Sequence, residues 1–256
     1  MWRALAVAIA LVSLPACLGS DATGVPPTPE GPPVIQYEVV RQHAEQFNVD
    51  VPDRPPGSQH ETAAASYILG HLQLAGYSPR LDRVPVENTL NSTNVVAMPP
   101  NGSDPEFLIA VPYDTPLVGG HFQSGREIGL FLELARSLTV ADPDHSVAFA
   151  ALGAETDDNR GTRRLAQFLL DEEIEPSVIL FRFREPTFES QMLVQGSCAG
   201  PNDISPYSST LTDGDCTEWS TADNAITGAG FELTYVDGDI EELGRGLFEF
   251  LIDHQS

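Results

Sequence analysis

Hydrophobic positions along the chain alternate between the period of strands and the period of helices. Six short segments are apolar or alternate strictly, which predicts strands, and the segments around them repeat apolar residues every three to four positions, which predicts helices. The predicted strands are 80–87, 93–99, 106–113, 145–153, 176–185 and 231–237. The predicted helices are 36–47, 60–77 with Gly76 closing it, 125–138, 160–173 and one from residue 240 whose apolar stripe is Ile240, Leu243, Leu247, Phe248 and Leu251.

Strands separated by helices predict an α/β fold. We expect a three-layer sandwich with a mixed, mostly parallel central sheet and helices on both faces. Ligands in such folds bind beyond the carboxyl ends of the strands. Asp114, Glu155 and Arg182 fall at three of those ends, so this edge is the candidate site.

The first 33 residues are typical of an exported, tethered protein. Arg3 precedes the apolar run 4–12, which is too short to span a bilayer and predicts a signal peptide over residues 1–16. The following LPAC resembles a bacterial lipobox, so Cys17 is the expected lipidation site. The alternative is an ordinary secretory signal that contains a cysteine. Gly, Pro and small polar residues predict a disordered tether over 17–33 and a single domain over 34–256.

The charge balance narrows the range of partners. Acidic residues number 37 against 13 basic ones, and the net charge is −24. Such a chain is a poor electrostatic partner for nucleic acid or an anionic membrane surface. A content of 41% hydrophobic residues is typical of a globular protein with a core. We therefore expect an acidic, solvated surface on a domain held at the membrane by its lipid alone.

Several short motifs occur in an order that resembles a known family. They are RPPGS from Arg54, NVVA from Asn94, YD at 113–114, GLFLELARSL from Gly129 and GAETDDNRGTRRLAQFL from Gly153. Together they resemble metallopeptidase family twenty-eight, which includes di-zinc aminopeptidases, glutaminyl cyclases and the peptidase-like domain of the transferrin receptor. The resemblance extends from about Gln36 to the end of the chain.

The resemblance implies a metal site that this chain has largely lost. A di-zinc site of the family needs five histidine or carboxylate ligands and a glutamate that activates water. Carried over by position, the first histidine falls on Pro112, while a nearby aspartate is kept as Asp114. The remaining positions are Gln123 for the bridging aspartate, Ala154 for the water-activating glutamate, Glu155 for a retained ligand, Arg182 for a ligand carboxylate and Asp223 for the last histidine.

These replacements predict a peptidase fold without peptidase catalysis. Alanine cannot move a proton, and glutamine is a poor bridge between two cations. Loss of a general base alone typically removes ~10²–10⁴-fold in rate. The expected function is a non-catalytic binding or scaffold domain without a cofactor, whose ligand is an unidentified peptide or protein.

An enzyme remains the alternative. His121, Glu155 and Asp223 could bind one zinc ion, which would give an aminopeptidase or glutaminyl cyclase with a rebuilt mononuclear site; otherwise His121 is a loop residue facing water. The chain has neither a nucleophile elbow nor a phosphate loop. The other histidines are isolated in sequence and are expected at the surface: His43, His60, His71, His145 and His254.

Two hypotheses concern residues late in the chain. Arg182 could supply the positive charge that zinc supplies in the family, by bridging Glu155 and an aspartate; alternatively it points to solvent. Cys198 and Cys216 are the two cysteines left in the exported chain and are expected to form a disulfide, with two free thiols as the alternative.

Overall fold

The computed structural model describes most of the domain. The described residues are 29–86, 90–116, 125–183, 193–196, 212–214, 230–235 and 240–254. The helices are α1 (Tyr37–Asp50), α2 (Gln59–Leu74), α3 (Gly125–Ala141), α4 (Arg160–Asp171) and α5 (Ile240–Asp253). The strands are β1 (Arg80–Pro85), β2 (Asn91–Ala97), β3 (Phe107–Pro112), β4 (Val147–Leu152), β5 (Ser177–Phe183), β6 (Leu193–Gly196), β7 (Thr212–Gly214) and β8 (Gly230–Tyr235).

The described strands form one mixed sheet in the order β1-β2-β4-β3-β5-β8-β6-β7. The four central strands β4, β3, β5 and β8 are parallel to their neighbours in this group. The pairs β1–β2, β2–β4 and β6–β8 are antiparallel. The edge pair β6–β7 is parallel. The α/β prediction of a mixed sheet is confirmed, but the described sheet is less parallel than expected, with four parallel pairs (β3–β4, β3–β5, β5–β8, β6–β7) and three antiparallel ones (β1–β2, β2–β4, β6–β8). A short connection between β1 and β2 favours an antiparallel pair, because a parallel pair needs a longer crossover.

Alternate residues of the central strands build two cores. Phe107, Ile109 and Val111 of β3 lie in the larger core, together with side chains of α1, α2, α3 and α5. Leu108 and Ala110 lie in the smaller core, which α4 covers. Because successive side chains of a strand point to opposite faces, this division confirms a three-layer sandwich.

α3 is the central helix of the larger layer. Almost all of its residues are buried, in agreement with its weak polar face in the sequence. α1 crosses it closely at Gly129, where a Cβ atom would lie 2.3 Å from the carbonyl oxygen of Val40. This approach requires glycine, since real Cβ atoms do not come so near a backbone oxygen.

The N-terminal end of the described chain is attached to α3. Arg136 donates to the carbonyl oxygens of Glu30, Pro32 and Val34 at 3.0–3.1 Å, and it pairs with buried Glu133 at 2.7 Å. Contacts with the domain therefore begin before residue 34, where the sequence pattern places the end of the tether. No helix within the described ranges is long and apolar enough to cross a membrane. The predicted signal peptide and Cys17 lie outside those ranges.

Candidate functional site

The parallel centre of the sheet brings two predicted site residues together. Pro112 at the end of β3 pairs with Leu152 at the end of β4, so the segments that follow both strands leave at the same edge. Asp114 and Glu155 lie in those segments, and the N–H of Glu155 donates to Oδ1 of Asp114 at 3.1 Å. This confirms that the carboxyl ends of β3 and β4 converge on one polar cluster.

The other predicted positions are only partly described. The backbone of Arg182 belongs to β5, which runs parallel to β3, but its side chain lies outside the described atoms. Residues His121, Gln123 and Asp223 lie outside the described ranges, as do Cys198 and Cys216. The expected ligand set, the Arg182 bridge and the disulfide therefore stay predictions.

Asp114 is buried and its carboxylate accepts hydrogen bonds from its own chain. Besides the Glu155 N–H, Thr156 donates its N–H to Oδ2 at 2.9 Å and its hydroxyl to the same oxygen. Burial raises the pKa of Asp114, while the bonds from Thr156 and Glu155 act in the opposite direction. Three donors thus surround a carboxylate that is 2% exposed. The sequence pattern gives no sign of this role for Thr156.

Glu155 has a structural contact at the start of α4. Its Oε1 accepts the N–H of Thr162 in the first turn of that helix. The N-cap residue Asn159 makes no side-chain cap, so Glu155 takes over part of this role from outside the helix. A carboxylate near a helix N-terminus is stabilised by the unpaired N–H groups and by the helix dipole. Glu155 is 6% exposed, which limits its access to solvent.

Glu61 is a buried carboxylate near the candidate site that the sequence pattern does not reveal. It lies in the first turn of α2, is 2% exposed, and accepts the N–H of Gly57 at 2.6 Å and the hydroxyl of Ser92. Burial raises the pKa of Glu61 to about 7, against the effect of these donors. The Ser-x-x-Glu spacing from Ser58 signals a helix start, but it does not reveal these distant partners.

The segment 153–156, here called the 153–156 loop, is held by its own main-chain N–H groups. Gly153 donates to Oδ1 of Asn94 at 3.1 Å. The N–H groups of Glu155 and Thr156 donate to Asp114. Three of the four amides are therefore bound by side chains from β2 and from the segment after β3. Ala154 itself is buried with φ 55°, a left-handed conformation that is unfavourable for alanine and is maintained by these contacts.

Arg54 supplies a buried positive charge beside this cluster. Its side chain is 0% exposed, its Nε donates to the carbonyl oxygen of Tyr113 at 2.6 Å, and its guanidinium lies over the Phe47 ring at 4.7 Å. Burial lowers its pKa to about 10, while the charges of Asp114 and Glu127 raise it. Arg54 therefore stays charged at pH 7 and faces acidic groups. The sequence contains this residue in the RPPGS motif but gives no sign of its burial.

The described residues do not fit a di-zinc centre. Of the ligand positions whose side chains are described, Pro112 has no donor atom, and Glu155 accepts the N–H of Thr162 at the start of α4. Within the described ranges, no group of three or more His, Cys, Asp or Glu side chains is arranged to hold a metal ion. That finding does not extend to His121 or Asp223.

The expectation that His145 is a surface residue is wrong. It is 1% exposed, its Nδ1 accepts the N–H of Val147 at 3.1 Å, and its Nε2 lies 2.9 Å from the Tyr77 hydroxyl. Burial lowers its pKa to about 4, so it is neutral at pH 7. Its place directly before the buried strand β4 explains the burial, which sequence isolation alone does not indicate.

Comparison with solved structures identifies the fold. The structure resembles Porphyromonas gingivalis glutaminyl cyclase, with a TM-score of 0.67 at 12% identity over 86% of this chain and 99% of that one. It also resembles a leucine aminopeptidase precursor from Bacteroides thetaiotaomicron, with a TM-score of 0.66 at 12% identity over 88% of this chain and 99% of that one. No family model and no curated protein matches the sequence.

The chain thus has the fold of the zinc exopeptidases and bacterial glutaminyl cyclases, in a divergent form. Identities of this size establish the fold alone. The resemblance noted in the sequence is confirmed at that level.

Proposed function

We propose that this chain is a non-catalytic peptide- or protein-binding domain of the cell envelope, built on the zinc-exopeptidase-like fold. The observation that supports this most directly is Glu155, the retained ligand position, whose buried carboxylate accepts the N–H of Thr162 at the start of α4. A metal ion bound by Glu155 would have to compete with that bond. Arg54 offers a positive charge close by, in a region where the enzymes of the fold would use zinc.

The proposal assigns the cleft at the carboxyl ends of the strands to binding. Ligands in open α/β folds lie at this edge. The hydrogen bonds of Asn94 and Asp114 hold the 153–156 loop, which suits a preformed binding surface.

We predict that the protein purified without chelator contains far less than stoichiometric zinc. It should neither release N-terminal amino acids from aminoacyl substrates nor cyclise N-terminal glutamine, even when zinc is supplied. The checks are elemental analysis and both activity assays. Stoichiometric zinc that Glu155→Gln removes, or activity that a chelator abolishes, would refute the binding-domain proposal. Either result would support the alternative, an enzyme with a mononuclear zinc site.

We predict a lipid anchor at Cys17. Bacterial lipoproteins carry more than one acyl chain, and stable anchoring needs more than one. Cys17→Ser should therefore move the protein from the membrane pellet to the soluble fraction, whereas Cys198→Ser should leave it in the pellet. Fractionation after cell lysis measures both. A wild-type protein that is fully soluble after lysis would contradict the anchor.

A further inference from the structure

Two histidines from different helices lie side by side at a surface pocket. His43 of α1 and His71 of α2 have ring centroids 4.5 Å apart and ring planes at 83°. Both rings line a pocket of about 370 Å³, whose apolar wall includes Val39, Leu74 and Leu132. The pair lies on the α1–α2 side of the sheet and shares no residue with the cluster around Asp114. The sequence analysis treated both residues as isolated.

Tyr67 of α2 fixes the orientation of the pair. Its hydroxyl oxygen lies 2.7 Å from Nδ1 of His43, and its ring packs against His71 with centroids 4.4 Å apart. Metal-binding histidines commonly donate from the ring nitrogen that does not bind the metal, and this bond sets the tautomer. In the Nδ1–H tautomer, which donates to the Tyr67 hydroxyl oxygen, the lone pair of His43 Nε2 is available to a ligand.

The spacing of the two rings matches imidazoles bound to one metal ion at adjacent positions. A metal at about 2.0–2.1 Å from a ring nitrogen lies roughly 3.1 Å from the ring centroid. Two such rings at ~90° about the metal have centroids roughly 4.4 Å apart, whereas a tetrahedral angle gives roughly 5 Å. The observed 4.5 Å falls between these two values, so the spacing of the rings is compatible with one shared metal ion.

We propose that His43 and His71 form a two-histidine site for a divalent transition-metal ion, with Cu²⁺ bound most tightly and the remaining coordination positions open to the pocket. The order of affinity follows from the general preference of nitrogen ligands for Cu²⁺ among the divalent first-row ions. Two protein ligands leave positions for water or for donor atoms of a small molecule in the pocket. This site is independent of the proposed function of the cleft.

Equilibrium dialysis tests the site. The full chain, with its cysteines blocked by N-ethylmaleimide so that thiols do not compete, should bind about one Cu²⁺ per chain and should bind Ni²⁺ more weakly. Loss of an outer-sphere partner alone costs about 10–100-fold in affinity, so His43→Gln and His71→Gln should each weaken binding by at least about tenfold. Exposed His60, which is bonded to the Asp53 carbonyl oxygen, provides the control: His60→Gln should bind like the wild type.

Two further readouts separate the site from a loss of folding. Tyr67→Phe keeps the ring but removes the hydroxyl, and it should weaken Cu²⁺ binding while circular dichroism stays unchanged. Electron paramagnetic resonance of the Cu²⁺-loaded wild type should show coupling to two imidazole nitrogens. The proposal is wrong if the wild type does not bind Cu²⁺ saturably or if both histidine variants bind it unchanged. It is also wrong if Glu155→Gln, rather than the histidine variants, removes the bound ion.

Discussion

Replacing Arg54 with methionine is expected to lower the free energy of unfolding by about 3–5 kcal/mol. The guanidinium is fully buried, donates to the carbonyl of Tyr113 and faces the charges of Asp114 and Glu127. Methionine fills part of the volume but leaves buried acceptors and acidic groups without their cation. Removal of one member of a buried charge cluster costs more than the net contribution of the cluster, because the remaining charge stays in a medium of low polarity.

Chemical denaturation of wild type and variant measures this effect, and Arg41 provides a matched control. Arg41 is exposed and pairs with Glu38 on the surface of α1. Surface pairs of this kind contribute about 0–1 kcal/mol, so Arg41→Met should change stability little. If Arg54→Met lowers the free energy of unfolding by no more than Arg41→Met does, Arg54 is not the group that compensates the charges of Asp114 and Glu127.

The fold was predictable from the sequence where burial imposes a clear period. β3 and β4 are apolar throughout because helices cover both faces of the sheet, and their predicted bounds are close to those observed. β6 and β7 were missed, since strands of four and three residues are too short to show a period. A mixed sheet was predicted, but not which strands pair antiparallel, because the direction of a strand depends on its pairing rather than on its own pattern.

The candidate site was predictable only in part. Asp114 and Glu155 stand out because each follows a buried strand, and parallel neighbours end at the same edge. Glu61 and Arg54 lie far from them in sequence, and their roles depend on how α2 and the segment before it meet β2 and β4. The same limit applies to His43 and His71, which are isolated along the chain but in contact across two helices.

Glu61 should make stability depend on pH over the neutral range. Its folded pKa of about 7 lies above the ordinary value of 4.5, because burial penalises the ionised carboxylate. The folded state therefore holds the proton more tightly than the unfolded state. The stability gained from this proton is complete below about pH 4.5 and is lost as the pH rises through about 7. The shift corresponds to roughly 3 kcal/mol. Asp114 acts in the same direction, since burial also raises its pKa.

Glu61→Gln isolates the contribution of this one carboxyl group. The amide can accept the N–H of Gly57 with its oxygen and donate to the Ser92 hydroxyl with its nitrogen, so both contacts can remain. Denaturation of wild type and variant between about pH 4.5 and pH 8 should show the variant gaining roughly 3 kcal/mol relative to wild type as the pH rises. Glu45→Gln, at an exposed glutamate of α1, should follow the wild-type profile throughout. Parallel profiles for wild type and Glu61→Gln would show that Glu61 ionises at the same pH in the folded and unfolded states, and that the proton does not contribute to stability.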